Sequence, residues 1–343
     1  FKQLNDNFSD DPEEEIDQVI KSLQELNNDS WNLIKSFSLK DIVKSIEDDL
    51  KLFNVNFDKW FYESSLGVLE NASSDIASAI NKLERNGHAY EKDNAIWLNT
   101  DISDDDKHRV LIRDNGKATY FASDVAYHKN KVDRGFDQLI NIWGADHHGY
   151  ISRIKGALEA LGLKGDLLKT IIIQFVSLNR SGKTVSMSTR KGDFVSLNEL
   201  IEEVGIDASR FFFLARKSDQ ALEFDVELAL KKDKNNPVYY IQYAHARICS
   251  LLKEVEKRNF VIDSENGLEN LNLITGEQEL ALINEIELFQ DTLEQCQTDL
   301  EIHPLCFYLR DLASKFHSYY LSLIHISEPT RQAEISYAVF CLK

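Results

Sequence analysis

Residues 139–178, LINIWGADHHGYISRIKGALEALGLKGDLLKTIIIQFVSL, carry the pattern from which the fold class can be predicted. An apolar run, Leu139–Trp143, begins this stretch, and a second apolar run, Thr170–Leu178, ends it. A helical pattern lies between them, from about residue 151 to Leu161. Continuous apolar runs are typical of parallel strands that are buried on both faces. The stretch therefore predicts a strand–helix–strand unit of an α/β protein.

Polar residues follow both predicted strands. Residues 144–150 come after the first strand, and residues 179–192 come after the second. Ligands of open α/β sheets bind at the carboxyl ends of the strands. We therefore expect the chemistry of the protein at these two clusters.

Upstream of this unit, the sequence predicts helices and then short strands. The helices of residues 13–53 carry apolar residues at helical spacing, namely Ile34, Phe37, Ile42, Ile46, Leu50 and Phe53. A further helix is predicted from its N-cap at Ser74 to a stop at Gly87. The predicted strands are Phe57–Glu63, Ala95–Leu98, Val110–Arg113 and Ala118–Phe121, with a hairpin turn at Asn115-Gly116 between the last two.

Downstream of residue 197, the sequence predicts almost only helices. Asn236-Pro237 begins a long one, and others are predicted near 277–298 and 304–320. A charged stretch, Lys231–Lys234, lies just before Pro237. We therefore predict a domain boundary at 232–236.

Composition limits the possible function. The 343 residues carry a formal net charge of −18, which on its own argues against binding to nucleic acid. This argument is weak, because one basic face can occur on an acidic protein. The four cysteines lie far apart without a CxxC pair, so neither a zinc site nor a disulfide framework is expected and a reducing cytoplasm fits. No apolar run approaches the ~18 residues that span a bilayer.

The first polar cluster, Trp143–Arg153 (WGADHHGYISR), offers carboxylate and imidazole groups at a strand end. Gly144 lets a ligand approach the backbone, and Asp146, His147 and His148 suit contact with a ribose or base, or with a metal. The alternative is that these histidines are ordinary surface residues. The position at the end of a predicted parallel strand favours a binding role.

The second cluster, Ser181–Leu197 (SGKTVSMSTRKGDFVSL), combines a glycine turn, hydroxyl groups and three cations. Lys183, Arg190 and Lys191 suit contact with a triphosphate and stabilisation of charge on leaving pyrophosphate. The alternative is a basic hairpin on the surface.

Several segments together resemble one family. Gly144–Tyr150 (GADHHGY), followed some 40 residues later by a basic loop around Met187, resembles class I aminoacyl-tRNA synthetases. Thr119–Tyr150 as a whole resembles the arginyl enzymes of that class. Phe57–Leu66 (FDKWFYESSL) and Asn236–Ile248 (NPVYYIQYAHARI) are similar to the arginyl enzymes of that class, and the resemblance covers essentially residues 1–320. It implies the second half of a Rossmann-like catalytic domain over 1–232 and the start of an all-α anticodon-binding domain over 233–320.

The resemblance also implies roles for individual residues. Those implied to bind arginine are Glu63, Tyr120, Asp124 and His147. Those implied to bind ATP are Gly144, Asp146, His147, His148, Val185, Met187 and Ser188, with Lys183, Arg190 and Lys191 as the catalytic cations. Those implied to contact tRNA are Tyr239, Tyr243, His245 and Arg247. Alternatives remain: Asp124 as a helix cap, Tyr120 as a packing residue, and Tyr239 and Tyr243 as core residues.

The reaction implied is ATP-dependent joining of arginine to tRNA(Arg), with Mg²⁺ as cofactor, in a cytoplasmic, monomeric protein without membrane contact. No resident metal site is expected. Two departures from the family pattern are visible. The HIGH-type motif is absent, so we expect the chain alone to be inactive, and Ser186-Met187-Ser188-Thr189-Arg190 replaces both lysines of the usual KMSKS loop.

Two alternative functions remain open. Another class I synthetase, such as the cysteinyl enzyme, would hold zinc through clustered cysteines, which this sequence lacks. A non-catalytic paralogue or tRNA-binding protein would lack a working HIGH-type motif in its complete sequence.

The last residues differ from the rest. Leu321–Arg331 (LSLIHISEPTR) and Ile335–Leu342 resemble translated sequencing adaptors in the correct order. We therefore expect residues 321–343 to be a non-native tail.

Overall fold

The computed structural model of the chain describes residues 12–26, 28–99, 107–185, 195–261 and 263–325. The helices are α1 (Pro12–Leu26), α2 (Asn28–Leu52), α3 (Asp75–Arg85), α4 (Tyr120–Asp133), α5 (Ile151–Ala160), α6 (Leu197–Val204), α7 (Ile206–Leu214), α8 (Val226–Leu230), α9 (Pro237–Lys257), α10 (Ser264–Glu269), α11 (Glu277–Asp299) and α12 (His303–His325). The strands are β1 (Ala89–Lys92), β2 (Ala95–Leu98), β3 (Arg109–Ile112), β4 (Leu139–Gly144), β5 (Leu168–Ile173), β6 (Val176–Arg180), β7 (Lys183–Thr184) and β8 (Leu222–Asp225). Two compact units are present: one contains α1, α2 and α6, and the other contains the strands and the remaining helices.

In the first unit, the prediction of helices over residues 13–53 is confirmed by α1 and α2. The apolar stripe of α2 is nevertheless largely exposed, with Phe37 at 70% and Ile42 at 58% of full exposure. Helical periodicity determines which side chains share a face, but it does not determine whether another element covers that face.

In the second unit, β1, β2 and β3 form an antiparallel sheet. The predicted turn at Asn115-Gly116 is confirmed, because Arg113 N donates to Lys117 O at 2.9 Å and Gly116 has φ +77°. The predicted strand Ala118–Phe121 is wrong, since only Ala118 bridges to Ile112. Thr119 then caps α4, and its side chain accepts a hydrogen bond from Ala122 N, which favours a helix from Tyr120 onward.

A strand was also predicted wrongly at Phe57–Glu63. Residues 55–62 form no regular element, and a short 3₁₀ turn, Glu63–Leu66, follows them. Tyr62 has extended backbone angles, but the segment pairs with no described strand. The turn instead buries Leu66.

The predicted strand–helix–strand unit is confirmed as β4, α5 and β5, with β4 and β5 parallel from Leu139↔Leu168 to Gly144↔Ile173. The sequence predicted that β4 is buried on both faces, and this prediction is wrong. Leu139 is buried, whereas Ile142 is 67% exposed, because the described elements pack on one face of this sheet.

The second apolar run, Thr170–Leu178, is two strands rather than one. β5 ends at Ile173, and β6 begins at Val176 in another sheet, where it pairs in parallel with β8 and antiparallel with β7. β8 was missed, although Leu222–Asp225 alternates apolar and acidic residues and Phe224 is fully buried.

The C-terminal helices agree with the prediction. Asn236 caps α9 by accepting from Val238 N at 3.0 Å, and α9, α11 and α12 share a core of Ala244, Leu282, Ala313, Phe316 and Tyr319. The predicted boundary at 232–236 lies between α8 and α9 and stays a prediction. α12 runs to His325, past the predicted start of the tail at 321, and residues 326–343 lie outside the described residues.

Candidate functional site

Two adjoining cavities lie along α4. The larger has a volume of about 460 Å³ and is lined by Tyr120, Asp124, Tyr127, His128, Lys131, Asn141, Trp143, His147 and Tyr150. The smaller has a volume of about 240 Å³ and is lined by Phe61, Glu63, Leu66, Tyr120, Ser123, Asp124 and Tyr127. Tyr120, Asp124 and Tyr127 line both, so one face of α4 forms the wall between them.

The spacing of residues along α4 explains this wall. Tyr120, Asp124 and Tyr127 follow the i, i+4, i+7 pattern of a single helix face. Val125 and Ala126, on another face, are buried in the core. Because Thr119 is the N-cap and Asp124 lies inside the helix, Asp124 is not a helix cap. Tyr120 is 80% exposed, which argues against a role in packing.

The carboxylate of Asp124 is held by a neutral partner. Tyr150 Oη donates a hydrogen bond to Asp124 Oδ2 at 2.7 Å. Burial and the proximity of Asp124 raise the pKa of Tyr150 well above its usual value, so its hydroxyl stays protonated. Sequence reasoning missed this residue, because the contact joins positions 26 residues apart.

A chain of hydrogen bonds forms the floor of the larger cavity. His128 Nδ1 donates to the backbone oxygen of Asp124 at 2.7 Å, and Asn141 Nδ2 donates to His128 Nε2 at 2.7 Å. Lys131 Nζ donates to Asn141 Oδ1 at 3.0 Å. Burial lowers the pKa of His128, which is consistent with a neutral ring that donates through one nitrogen and accepts through the other. Burial also lowers the pKa of Lys131.

These floor residues were not predicted. His128 and Lys131 continue the helix face of Asp124 at i+4 and i+7, and this spacing is the signal that could have found them. Asn141 comes from β4, and no spacing along the sequence connects it to α4.

The remaining residues predicted to bind arginine also line the cavities. Glu63 is exposed on the 3₁₀ turn, and Phe61 beside it packs against Tyr127 with ring centroids 4.4 Å apart. His147 lines the larger cavity, with its ring centroid 6.4 Å from that of Trp143. The structure therefore brings Glu63, Tyr120, Asp124 and His147 to one pair of cavities.

The predicted adenosine-binding residues lie where β4 ends. Gly144 is the last residue of β4, and Asp146, His147 and His148 lie in the 3₁₀ turn Ala145–Tyr150. His147 Nε2 is 3.5 Å from Asp146 Oδ2. A Cβ atom added at Gly144 would lie 2.7 Å from Asp146 Oδ1, so a larger residue would displace the Asp146 side chain.

The described part of the predicted phosphate loop is a tight hairpin. Ser181 and Gly182, with φ of +52° and +73°, form the turn between β6 and β7, and Glu227 Oε1 accepts from Ser181 N at 2.7 Å. This contact lowers the pKa of Glu227. Lys183 is exposed on β7 and Val185 follows it. The other predicted loop residues, Met187, Ser188, Arg190 and Lys191, lie outside the described residues.

The residues predicted to contact tRNA share α9. Tyr239 and Tyr243 stack with ring centroids 6.1 Å apart, and His245 Nε2 is 3.6 Å from Cys249 Sγ. Arg247 Nη1 donates to His317 Nδ1 of α12 at 2.9 Å, and its Nη2 donates to Tyr243 Oη at 3.1 Å. Arg247 therefore links α9 to α12, whatever else it contacts.

His317 is a further residue that the sequence did not indicate. Its Nε2 donates to the backbone oxygen of Tyr240 at 3.1 Å, while its Nδ1 accepts from Arg247. Burial, together with the positive charge of Arg247, lowers the pKa of this buried histidine. The ring is therefore neutral near pH 7.

None of the described helices is long and apolar enough to cross a membrane. Within the same residues, no group of three or more His, Cys, Asp or Glu side chains could hold a metal ion.

Comparisons with known proteins agree with the resemblance found in the sequence. The family "tRNA synthetases class I (R), catalytic domain" matches residues 1–234, and the family "DALR anticodon binding domain" matches residues 241–335. These matches confirm the predicted fold class, a class I catalytic domain followed by a helical anticodon-binding domain.

Individual relatives are similar over almost the whole chain. Over 333 residues, the chain is 46% identical to the arginine–tRNA ligase of Legionella pneumophila strain Corby, and the match covers 97% of this chain and 56% of that protein. It is 44% identical over 332 residues to the arginine–tRNA ligase of Hydrogenovibrio crunogenus, covering 96% of this chain and 55% of that protein. A solved Campylobacter jejuni chain assigned to the arginyl-tRNA synthetases superposes with a TM-score of 0.79 at 28% identity, covering 99% of this chain and 74% of that one.

The chain spans little more than half the length of the two curated ligases. Because the class I catalytic-domain family matches residues 1–234 of 343, the chain belongs to the class I arginyl-tRNA synthetase family.

Proposed function

We propose that the protein carrying this chain is an arginine–tRNA ligase. It activates L-arginine with ATP as arginyl-adenylate and transfers the arginyl group to the 3′ end of tRNA(Arg). The family match and the names of the relatives support the reaction class. The pair of cavities along α4 supports arginine as the amino acid.

The observation that carries the proposal is the chemistry of the cavity walls. Asp124 contributes a carboxylate to both cavities, and Glu63 contributes a second one to the smaller cavity. The rings of Tyr120 and Tyr127 line both cavities. A guanidinium group is a planar cation whose N–H donors match a carboxylate and whose face stacks on aromatic rings. Carboxylates beside aromatic rings therefore fit the arginine side chain.

The reaction needs no covalent bond to the protein. An oxygen of the arginine α-carboxylate attacks the α-phosphorus of ATP, the bond between that phosphorus and the β-phosphate oxygen breaks, and pyrophosphate leaves with the negative charge. We propose that Lys183, with Arg190 and Lys191, stabilises this charge, since positioned cations are effective where charge develops. A hydroxyl of the terminal ribose of tRNA then attacks the arginyl carbonyl and releases its proton to water. The bond between the carbonyl carbon and the oxygen of the adenylate phosphate breaks, and AMP leaves with that oxygen.

The other partners are also proposals. Gly144, Asp146, His147, His148, Val185, Met187 and Ser188 would contact ATP, and Tyr239, Tyr243, His245 and Arg247 would contact tRNA. Mg²⁺ would neutralise charge on the phosphates of ATP. The cytoplasmic location, the monomeric state and the absence of membrane contact stay predictions.

The test is arginine-dependent exchange of pyrophosphate into ATP by the whole protein, with and without tRNA(Arg), followed by charging of that tRNA. L-Citrulline, which replaces the guanidinium with a neutral ureido group of similar shape, is the matched substrate control. We expect exchange and charging with arginine and neither with citrulline. Absence of charging with arginine would contradict the proposal and favour a tRNA-binding paralogue.

A further inference from the structure

The Asp124 carboxylate uses only part of its hydrogen-bonding capacity within the protein. Oδ2 accepts from Tyr150 at 2.7 Å, and no other described side chain donates to this carboxylate. A carboxylate offers about four lone-pair sites. Most of its accepting capacity therefore remains available to a ligand in the cavities that Asp124 lines.

Tyr150 is itself held in place by its neighbours. Its ring centroid is 5.8 Å from Trp143 and 6.0 Å from Phe121, in edge-to-face geometry, and the Arg153 guanidinium lies 5.8 Å from the ring. Contacts of this kind restrict the rotation of an aromatic side chain. The hydroxyl is therefore directed at Asp124 before any ligand arrives.

The charge of the partner matters as much as its geometry. A tyrosine hydroxyl that stays protonated donates a hydrogen bond without bringing a positive charge. Lys131, the cation of the larger cavity, donates instead to Asn141 at 3.0 Å. The carboxylate of Asp124 is therefore oriented without being neutralised, as the binding of a cation requires.

We propose that Tyr150 is a positioning residue for the recognition of arginine. Its hydroxyl fixes Asp124 Oδ2 so that the free lone pairs face the cavities, and this gives the site its preference for a guanidinium over a neutral isostere. The proposal rests on the proposed role of Asp124 in binding the guanidinium. It assigns Tyr150 no contact with the substrate.

The test uses the whole protein that carries this chain and measures binding of L-arginine and L-citrulline by calorimetry or NMR titration. Four proteins are compared: wild type, Tyr150→Phe, Asp124→Asn and the control Tyr90→Phe. The control removes a hydroxyl that also makes a short hydrogen bond, at 2.6 Å to His108, but lies outside both cavities. Thermal unfolding is recorded for each protein.

We expect wild type and Tyr90→Phe to prefer arginine over citrulline to the same degree, and Asp124→Asn to lose the preference. In Tyr150→Phe, we expect the Kd for arginine to rise about tenfold, as for the loss of one hydrogen bond to a charged group, with the Kd for citrulline unchanged. The ratio of the two constants is the decisive readout, because a general loss of folding would weaken both ligands equally.

The two proposals fail in different ways. If wild type does not prefer arginine, or if Asp124→Asn keeps the preference, the guanidinium site is wrong and the role of Tyr150 is wrong with it. If Asp124→Asn loses the preference but Tyr150→Phe retains it in full, the site stands and the positioning role is wrong. An equal loss for both ligands in Tyr150→Phe would show that Tyr150 only supports packing.

Discussion

Asp124 on α4 and Arg247 on α9 were both predicted from the resemblance to bind a ligand, but their surroundings differ. Asp124 receives one hydrogen bond from a neutral hydroxyl and lines two cavities. Arg247 donates to His317 and Tyr243, and its guanidinium lies 4.3 Å from the Tyr243 ring and 4.8 Å from the Tyr320 ring.

The difference separates two uses of a charged side chain. A charge with free hydrogen-bonding capacity at a cavity is available to a substrate. A charge whose donors and flat face are occupied by neighbouring side chains first of all holds helices together. We therefore expect changes at Asp124 to affect substrate use and changes at Arg247 to affect stability, while contact of Arg247 with tRNA stays a prediction.

The largest effect is expected for Asp124→Asn in the whole protein. Removing one charge from a desolvated guanidinium pair costs roughly 2–5 kcal/mol, because the substrate cation loses its partner. This corresponds to about 30-fold to several-thousand-fold in kcat/KM for arginine. Steady-state kinetics and thermal unfolding of the variant are the measurements, and the unfolding temperature should change little. A variant with a kcat/KM for arginine within threefold of wild type would show that Asp124 does not bind the guanidinium.

The second effect is a loss of stability on removal of the Arg247 side chain. Arg247→Ala removes hydrogen bonds to His317 and Tyr243, so we expect a loss of roughly 1–3 kcal/mol in the free energy of unfolding. Arg258→Ala is the matched control at the C-cap of the same helix, since Arg258 is exposed and pairs only with Glu254 among the described residues. Such a surface pair contributes about 0–1 kcal/mol.

Urea unfolding of Arg247→Ala and Arg258→Ala measures their stability. Titration with L-arginine measures their affinity for the substrate. An Arg247→Ala protein as stable as Arg258→Ala would remove the distinction between the two regions. A loss of arginine affinity in Arg247→Ala, without a loss of stability, would reverse it.

A smaller effect is expected from pH. The folded protein lowers the pKa of His317, so the unfolded chain binds a proton more readily. Stability from this group is therefore complete above the unfolded pKa of about 6.5 and is lost as the pH falls through the folded pKa. Lowering the pH from 7.5 to 5.5 should destabilise wild type more than His317→Gln, with equilibrium unfolding at each pH as the measurement. An equal pH dependence in both proteins would mean that His317 does not contribute.

The sequence predicted the parts of this account that depend on local patterns. Asn236-Pro237 indicated the start of α9, and the apolar run Leu139–Trp143 indicated a parallel strand. Asp124 was found through a resemblance that extends over the chain. In each case a few adjacent residues, or a pattern with a defined spacing, carried the information.

What the sequence missed depends on contacts between distant residues. Asn141 comes to α4 from β4, and Tyr150 comes to it from the turn after β4. His317 comes to α9 from α12. β8 was missed because four residues are too few for a periodic pattern to be distinct. The exposure of Ile142 and of the α2 stripe could not be predicted, because an apolar pattern does not identify what covers it.

An experimental structure of the protein with L-arginine bound would show directly whether Asp124 binds the guanidinium. We expect the guanidinium within hydrogen-bonding distance of Asp124, beside the rings of Tyr120 and Tyr127, with Tyr150 still donating to Asp124 Oδ2. Arginine bound elsewhere, or bound with its guanidinium away from Asp124, would show that Asp124 does not bind the guanidinium.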